Sequence, residues 1–245
     1  MKKALLLALF LLMVPMAIAH AQCPKGTTEK VETGEKGTRF VSCVDSKGQK
    51  QGKETTWFPN GKKRSDIEWR DNRREKETFW YMNGNRRSEF LYKDGKSHGK
   101  HNRWHENGQK ASEGEYKDGK EHGIWAWWGE NGKKHIETEY KEGKQHGIFN
   151  NWHENGQKES EGQYKDDKKN GKWSGWYDNG KTDFKGEFRD DEHYGKWAFW
   201  HANGKKRIEA QYKDGKRHGA WTWWDENGQI TKVEQCTMGV CTEVR

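Results

Sequence analysis

The dipeptide Asn-Gly recurs along this chain at a nearly constant spacing, and this regularity limits the possible folds more than any other feature. Eight copies run from Asn60-Gly61 to Asn227-Gly228, separated by 23 residues once and by 24 residues six times. A fixed period of roughly 20–50 residues is typical of an array in which each unit covers its neighbour. The sequence therefore predicts an elongated array of about eight 24-residue units.

Aromatic residues occupy fixed positions relative to the glycine of each unit. Tryptophan stands four residues before it in every unit, at Trp57, Trp80, Trp104, Trp128, Trp152, Trp176, Trp200 and Trp224. An aromatic residue stands eight residues after it in seven units, at Trp69, Tyr92, Tyr116, Tyr140, Tyr164, Phe188 and Tyr212, and Cys236 takes this position in the eighth. We interpret these residues as the structural rungs of the repeat.

Each unit contains two short runs separated by turn residues, which is typical of a β-hairpin. Pro59-Asn60-Gly61 suits a three-residue loop, in which a type I turn is followed by a left-handed glycine. Lys117-Asp118-Gly119 is interpreted as the same device at the other end of the unit. The predicted fold class is all-β, an elongated, solenoid-like antiparallel meander of hairpins.

Three-residue loops predict which residues share a face of the sheet. The repeated tryptophans would lie with the later aromatic rungs, and small residues would leave room for the rings, at Gly114, Gly162, Gly186 and Ala210. The opposite face would carry acidic residues, at Glu113, Glu137, Glu161 and Glu209. It would also carry six candidate binding residues, Trp125, Trp127, Trp173, Trp197, Trp221 and Trp223, which suit stacking on sugars or on a partner's side chains. Alternatively these rings pack against one another, and a two-residue turn would exchange the two faces.

The N-terminal segment has the pattern of a secretory signal peptide. Lys2 and Lys3 precede an uncharged apolar run, and Ala19-His20-Ala21 matches a cleavage site. We predict a signal peptide at residues 1–21, an N-terminal cap at 22–50, hairpin repeats at 51–235 and a C-terminal cap at 236–245. The mature chain would then be periplasmic or secreted. Lipid attachment at Cys23 is the alternative to release, but Gln22 is larger than the small residue that such a site requires.

Four cysteines lie outside the repeats, at Cys23, Cys43, Cys236 and Cys241. Export favours disulfides, and three pairings are possible. We expect local pairing, Cys23 with Cys43 and Cys236 with Cys241, because the ends of an extended array lie far apart. The same separation argues against a zinc site. Composition adds that the aromatic residues must form a thin layer, since Leu91 is the only leucine after residue 21 while the chain has 15 Trp and 8 Tyr.

The segments 92–99, 116–123 and 212–219 read Tyr-Lys-Asp-Gly-Lys-x-His-Gly, a pattern that resembles the MORN repeat. Its alternation with Trp-x-x-Asn-Gly-x-Lys resembles the bacterial variant found in YwqK-type antitoxin proteins, over about residues 48–235. The resemblance implies a β-hairpin solenoid with no known active site, and links the array to membrane lipids and protein scaffolding. The antitoxin label implies neutralisation of a partner toxin. Asp166-Asp167 and Asp190-Asp191 depart from the pattern by placing aspartate where the turn glycine stands. Residues 70–77 are one residue short and lack the His-Gly, and we expect a looser turn there.

The remaining candidate residues favour structural roles. His98, His122, His146 and His218 are expected to close the long turn by hydrogen bonding to the backbone. Those after the repeated tryptophan are expected in solvent, at His105, His153 and His201. No catalytic motif occurs in the sequence, so we predict no enzyme, metal or cofactor.

The leading functional hypothesis is an exported, protein-binding scaffold, with toxin neutralisation as a special case. The alternative is binding of anionic envelope lipid or glycan through dense basic stretches, at Lys62-Lys63-Arg64, Arg73-Arg74, Arg86-Arg87 and Lys205-Lys206-Arg207. The formal net charge of +8 is also compatible with nucleic acid, but the predicted compartment argues against it.

Overall fold

The structure, a computed structural model, describes residues 23–34 and 38–244, and every regular element within them is a β-strand. This confirms the predicted all-β class. The first strands are β1 (Thr28–Thr33), β2 (Arg39–Val44), β3 (Gly52–Trp57), β4 (Lys63–Arg70), β5 (Arg73–Trp80), β6 (Arg86–Lys93) and β7 (Lys96–Trp104). The central strands are β8 (Lys110–Lys117), β9 (Lys120–Trp128), β10 (Lys134–Lys141), β11 (Lys144–Trp152), β12 (Lys158–Lys165), β13 (Lys168–Lys169) and β14 (Gly171–Trp176). The last are β15 (Thr182–Arg189), β16 (Glu192–Trp200), β17 (Lys206–Lys213), β18 (Lys216–Arg217), β19 (Gly219–Trp224), β20 (Ile230–Thr237) and β21 (Val240–Glu243).

The 21 strands form one antiparallel sheet in which strands pair with their neighbours in sequence. Two strands are interrupted, so that β13 and β14 both pair with β12, and β18 and β19 both pair with β17. The predicted meander is therefore confirmed. Within residues 23–34 and 38–244, no helix is long and apolar enough to cross a membrane.

The Asn-Gly loops have the predicted three-residue form. In the loop between β9 and β10, the Gly129 amide donates to the Lys133 carbonyl at 2.9 Å, and the Gly132 amide donates to the Gly129 carbonyl at 2.9 Å. Gly132 has a φ of 75°, a left-handed conformation that glycine adopts without steric cost. The recurrence of glycine at this point follows from that backbone requirement.

The predicted assignment of faces is wrong, because each of these hairpins contains a second bulge just after the loop. Trp128 lies opposite Lys134, but Trp127 lies opposite Ile136, so one extra residue enters the strand. A shift of one residue moves every later side chain to the other face. Trp125 and Trp127 consequently share a face with Tyr140, and the repeated Trp128 lies on the opposite face.

We name the two faces by their recurring residues. The tyrosine face carries the aromatic rungs eight residues after the glycine, together with Trp125, Trp127, Trp173, Trp197, Trp221 and Trp223. The lysine–tryptophan face carries the repeated tryptophans and the acidic residues, and its other members are introduced below.

The turns at the other end of the unit are not three-residue loops. Lys117 pairs directly with Lys120, and the two residues between them, Asp118 and Gly119, have φ values of 52° and 87°. Two consecutive positive φ values define a type I′ turn, whose twist matches that of the flanking strands. The expectation that these turns repeat the Asn-Gly device is therefore wrong.

The turn at residues 70–77 is not looser, contrary to expectation, because Arg70 pairs directly with Arg73 and the two residues between them have φ values of 48° and 60°. The turns with a second aspartate have the same form. Asp166 and Asp167 have φ values of 51° and 69°, close to those of the Asp-Gly turns. Aspartate tolerates this conformation better than most residues. The Asp167 carboxylate also accepts a hydrogen bond of 2.8 Å from the Gln145 amide of the preceding repeat. The replacement of glycine thus adds a contact between repeats.

The core of the molecule is a thin layer on the tyrosine face. Trp173 and Trp197 are each 3% exposed, and Trp125 and Trp221 are each 6% exposed. Trp173 contacts Tyr164 edge to face at 5.3 Å between ring centroids. Its ring lies flat on Gly162, where an added Cβ would be 2.2 Å from Cδ2. The small residues do leave room for rings, as predicted, but for these tryptophans rather than the repeated ones.

An irregular bulge positions each buried tryptophan. Between β8 and β9, Glu113 pairs with Ala126 and Glu115 with His122, so three residues of β9 lie opposite Gly114 alone. Gly123, with a φ of 67°, begins this bulge. The Trp125 indole Nε1 donates to the Glu115 carbonyl at 3.2 Å. Three other repeats show the same bond, from Trp173, Trp197 and Trp221.

The asparagine of each Asn-Gly joins neighbouring repeats. The Asn155 Oδ1 accepts from the Gln157 amide at 2.9 Å, which fixes its own loop. Its Nδ2 donates to the Asp178 carbonyl of the next repeat at 2.6 Å. Five other asparagines make the same inter-repeat bond, at Asn60, Asn83, Asn107, Asn179 and Asn203. The side chain thus explains why asparagine recurs here.

The cysteines have the local pairing that the sequence predicted, Cys23 with Cys43 and Cys236 with Cys241. Cys43 and Cys236 are each 1% exposed. The side chains of Glu234, Cys236 and Cys241 lie close enough together to hold a metal ion. The two cysteine sulfur atoms are, however, joined in a disulfide and are not free thiolate ligands. The predicted signal peptide lies outside the described residues, and the domain boundaries stay a prediction.

Candidate functional site

The lysine–tryptophan face has a repeated composition along the array. The eight repeated tryptophans are all partly buried and partly exposed. A cation two residues after the glycine flanks them in six repeats, at Lys63, Arg86, Lys110, Lys134, Lys158 and Lys206. A carboxylate five residues after the glycine follows in the same repeats, at Asp66, Glu89, Glu113, Glu137, Glu161 and Glu209. Rows of rings, cations and carboxylates therefore run along this face.

The cations lie over the tryptophan rings. The Lys134 Nζ is 5.6 Å from the ring centroid of Trp128 and 5.6 Å from that of Trp152, so it contacts two successive repeats. The Lys63 Nζ is 5.1 Å from the centroid of Trp80. Such contacts hold an aromatic ring and a cation together at a partly solvated surface. The rings are thereby fixed with part of their surface open to solvent.

The carboxylate row neutralises the cations. The Lys158 Nζ lies 2.7 Å from the Glu161 carboxylate, and Lys110 pairs with Glu113 in the same way. Asp66 is the most enclosed member of the row. Burial would raise the pKa of Asp66, but hydrogen bonds from Lys53, Lys63 and Thr55 outweigh burial and hold the pKa below its usual value. The face is consequently of mixed charge.

The dense basic stretches do not form one basic surface. Consecutive residues of a strand point to opposite faces, so each stretch is divided between the two sides of the sheet. Each stretch also contributes a paired cation: Lys63 with Asp66, Arg74 with Glu77, Arg86 with Glu89, and Lys206 with Glu209. These contacts leave less unpaired positive charge than the sequence suggested.

The six candidate binding tryptophans fall into two groups. Trp125, Trp173, Trp197 and Trp221 are buried in the layer described above, so their rings are not available for stacking on a ligand. Their selection as binding residues is corrected, because the bulge after each loop turns them to the packed face. Trp127 and Trp223 are partly exposed at the rim of that layer. A binding role is still predicted for Trp127 and Trp223 alone among the six.

Of the four turn histidines, one makes the expected hydrogen bond to the backbone. The His98 Nδ1 accepts from the Asp118 amide at 3.4 Å, a long contact. The Nδ1 atoms of His122, His146 and His218 are buried without a hydrogen-bond partner among the described residues. The prediction is therefore wrong for these three, because the type I′ turn is closed by its own strand pairing and by backbone bonds to the neighbouring repeat.

The histidines near the hairpin tips are not solvated side chains. The His153 Nε2 lies 2.7 Å from the Trp176 carbonyl of the next repeat, and the His105 Nε2 lies 2.8 Å from the Trp128 carbonyl. A carbonyl only accepts, so Nε2 must carry the proton. His201 makes the same contact. These side chains join repeats, and the expectation of a solvent-exposed position is wrong.

A trough on the lysine–tryptophan face was not identified from the sequence. It has a volume of about 700 Å³ and lies across β14, β15, β16, β17 and β19. Lys172, Lys185 and Lys196 line it, with Ser174 and Gln211 among the polar side chains. One feature of the sequence could have indicated this trough: Lys185 stands where six other repeats have a carboxylate.

The fold and this surface define the class of protein, a binding array of β-hairpins. The family model described as MORN repeat variant matches seven segments, at 50–71, 97–118, 121–142, 145–166, 169–190, 194–214 and 217–235. These segments cover more than half of the chain, and the chain belongs to this family. No curated protein matches the chain. The family supports a binding role for the array and leaves the partner to be proposed.

Proposed function

We propose that this chain is a non-catalytic binding protein that acts outside the cytoplasm and docks another protein on its lysine–tryptophan face. One observation carries the proposal: a tryptophan is held partly exposed at the same position of all eight repeats. Protein interfaces are enriched in aromatic residues and arginine, and tryptophan often dominates their binding energy. The row of rings supplies this type of contact along the length of the sheet.

The charge pattern favours a protein over an anionic surface. A membrane or a polyanionic glycan attracts a surface whose positive charge is unbalanced. On most of this face, however, each cation is paired with a carboxylate of its own repeat, as in Lys134 with Glu137 at 2.5 Å. A partner protein with alternating charges complements such a surface. The lipid or glycan alternative is therefore kept as an outcome of the test.

The compartment is proposed from the cysteines. Two disulfides join all four cysteines of the chain, and disulfides persist mainly in oxidising compartments. Toxin neutralisation stays a prediction from the resemblance and would be one form of protein binding.

The test is capture of envelope proteins on the immobilised, disulfide-bonded chain. We expect one protein to be retained specifically by the wild type and lost by the double variant Trp128→Ala, Trp152→Ala. Each tryptophan at the centre of an interface contributes about 2 kcal/mol or more. The matched control, Gln145→Ala with Asn151→Ala, alters the tyrosine face of the same repeats and should retain the protein. Circular dichroism must show that both variants keep their strands.

Two results would refute the proposal. The first is retention that is unchanged by the tryptophan substitutions. The second is co-sedimentation with anionic vesicles that is lost at about 0.5 M salt, where charge interactions are screened within a few ångströms, together with no retained protein. That result would favour binding of anionic lipid as the function of the chain.

A further inference from the structure

One repeat reverses the charge of the carboxylate row. The residue five after the glycine is Asp or Glu in six repeats, but it is Lys185 in the repeat of Gly180. The same repeat has Thr182 in place of the cation two residues after the glycine. Both changes fall within one unit, and they alter the electrostatics of a single region of the lysine–tryptophan face.

In two repeats the carboxylate of this row forms an ion pair with the lysine on the paired strand. Asp66 lies 2.8 Å from the Lys53 Nζ, and Glu89 lies 2.9 Å from the Lys76 Nζ. Lys172 occupies the position of Lys53 and Lys76, but its repeat offers it no carboxylate at this position. The lysine reversal therefore removes a counter-ion and adds a second positive charge.

Three lysines in this region, Lys172, Lys185 and Lys196, have no ion pair within the part of the chain that the structure describes. All three are exposed. They lie on the adjacent strands β14, β15 and β16, whose spacing is about 4.8 Å. Among the described residues, Lys100 is the one other lysine at the strand position of Lys172 and Lys196 that has no ion pair, and it stands alone in its region.

These lysines line a shallow, open trough in the surface of the sheet. The trough of about 700 Å³ is within the roughly 300–1,000 Å³ usual for ligand sites. Its lining includes the small side chains of Ser174, Ala198 and Ala220, which leave the space between the lysines open. From β14 to β19 the trough crosses four strand spacings, about 19 Å, which matches about six residues of extended chain.

The acidic residues of the trough do not cancel the lysines. Glu209 is already paired with Lys206, so Glu187 is the one lining carboxylate without an ion pair among the described residues. The trough thus has an excess of positive charge, and a cationic ligand would be repelled.

We propose that the trough binds an extended acidic segment of a protein partner, whose side-chain carboxylates pair with Lys172, Lys185 and Lys196. Ser174 and Gln211 supply hydroxyl and amide groups for the segment's backbone. The trough has no arginine among its lining residues, and compact phosphate groups favour the bidentate contacts of arginine. An elongated ligand with charges at intervals fits better. The inference rests on the proposed function and specifies the chemistry of the partner.

The test is fluorescence anisotropy with labelled hexaglutamate and hexaglutamine, titrated with the full, disulfide-bonded chain at low salt. We expect hexaglutamate to bind and hexaglutamine not to bind, with binding lost as salt rises. Lys185→Glu restores the carboxylate of the other repeats and should weaken binding about tenfold or more, because an attraction becomes a repulsion.

The matched control is Lys100→Glu, which makes the same change of charge on the same face, in another repeat. Binding to this variant should stay within about twofold of wild type. Equal weakening by both substitutions would overturn the proposal, since binding would then follow net charge alone. Competition by millimolar inorganic phosphate would also overturn it, in favour of a small-anion site.

The outcomes separate this inference from the proposed function. Hexaglutamate binding that depends on Lys185, without any captured envelope protein, supports the trough and counts against the proposed function. A captured protein that depends on Trp128 and Trp152, without a Lys185-dependent peptide site, supports the function and refutes the trough.

Discussion

Substitution of the loop asparagines separates the energy of a turn from the energy that couples two repeats. Asn155 makes one bond within its loop through Oδ1 and one bond to the next repeat through Nδ2. Asn155→Asp keeps the acceptor and removes the donor, whereas Asn155→Ala removes both. Asn131 is the natural control, because its Oδ1 accepts from the Lys133 amide at 2.9 Å while no inter-repeat bond from its Nδ2 exists among the described residues.

The expected magnitudes follow from these contacts. One hydrogen bond contributes about 0.5–1.5 kcal/mol net, so Asn155→Asp should cost about 1 kcal/mol and Asn155→Ala about 2 kcal/mol. Asn131→Asp should cost close to nothing. In a repeat array, stability is approximately a sum of unit and interface contributions, so Asn155→Asp should also reduce the cooperativity of unfolding. Urea denaturation followed by tryptophan fluorescence measures both quantities. Equal losses for Asn155→Asp and Asn131→Asp would refute the reasoning.

Two further predictions concern titration and the cysteines. Burial in the aromatic layer and the charge of Arg103 lower the pKa of His101 to about 4. The folded state therefore loses stability as the pH falls from about 6.5 towards 4, by about 1–2 kcal/mol because solvent screens a half-buried ring. His101→Phe, which introduces the residue found at Phe149 two repeats later, should abolish this loss in acid-denaturation curves, and an unchanged pH dependence would contradict it. Replacement of Cys23 and Cys43 by serine should cost about 3 kcal/mol in the N-terminal strands, by loss of a loop constraint; hydrogen exchange of β1 that matches the wild type would disprove this.

The local pattern of the sequence predicted the elements and their order. Asn-Gly at a period of 24 residues, with glycine required in a left-handed conformation at Gly132, was sufficient for the hairpins and the three-residue loops. The Asp118-Gly119 turns were assigned wrongly, because the two turn types use the same residues and differ only in how the strands pair. The trough was missed because Lys172 and Lys185 become neighbours only once the register is known.

The sequence by itself determined that this chain forms an array of antiparallel hairpins joined through aromatic residues, because loop chemistry and spacing are local properties. Only the tertiary structure decided which rings are buried. One bulged residue after each Asn-Gly loop, as between Lys134 and Ile136, reverses the side of the sheet on which every later side chain lies. Trp125 is buried and Trp128 remains partly exposed for that reason. A bulge reflects the energy of the whole strand pairing, so no short stretch of residues specifies it.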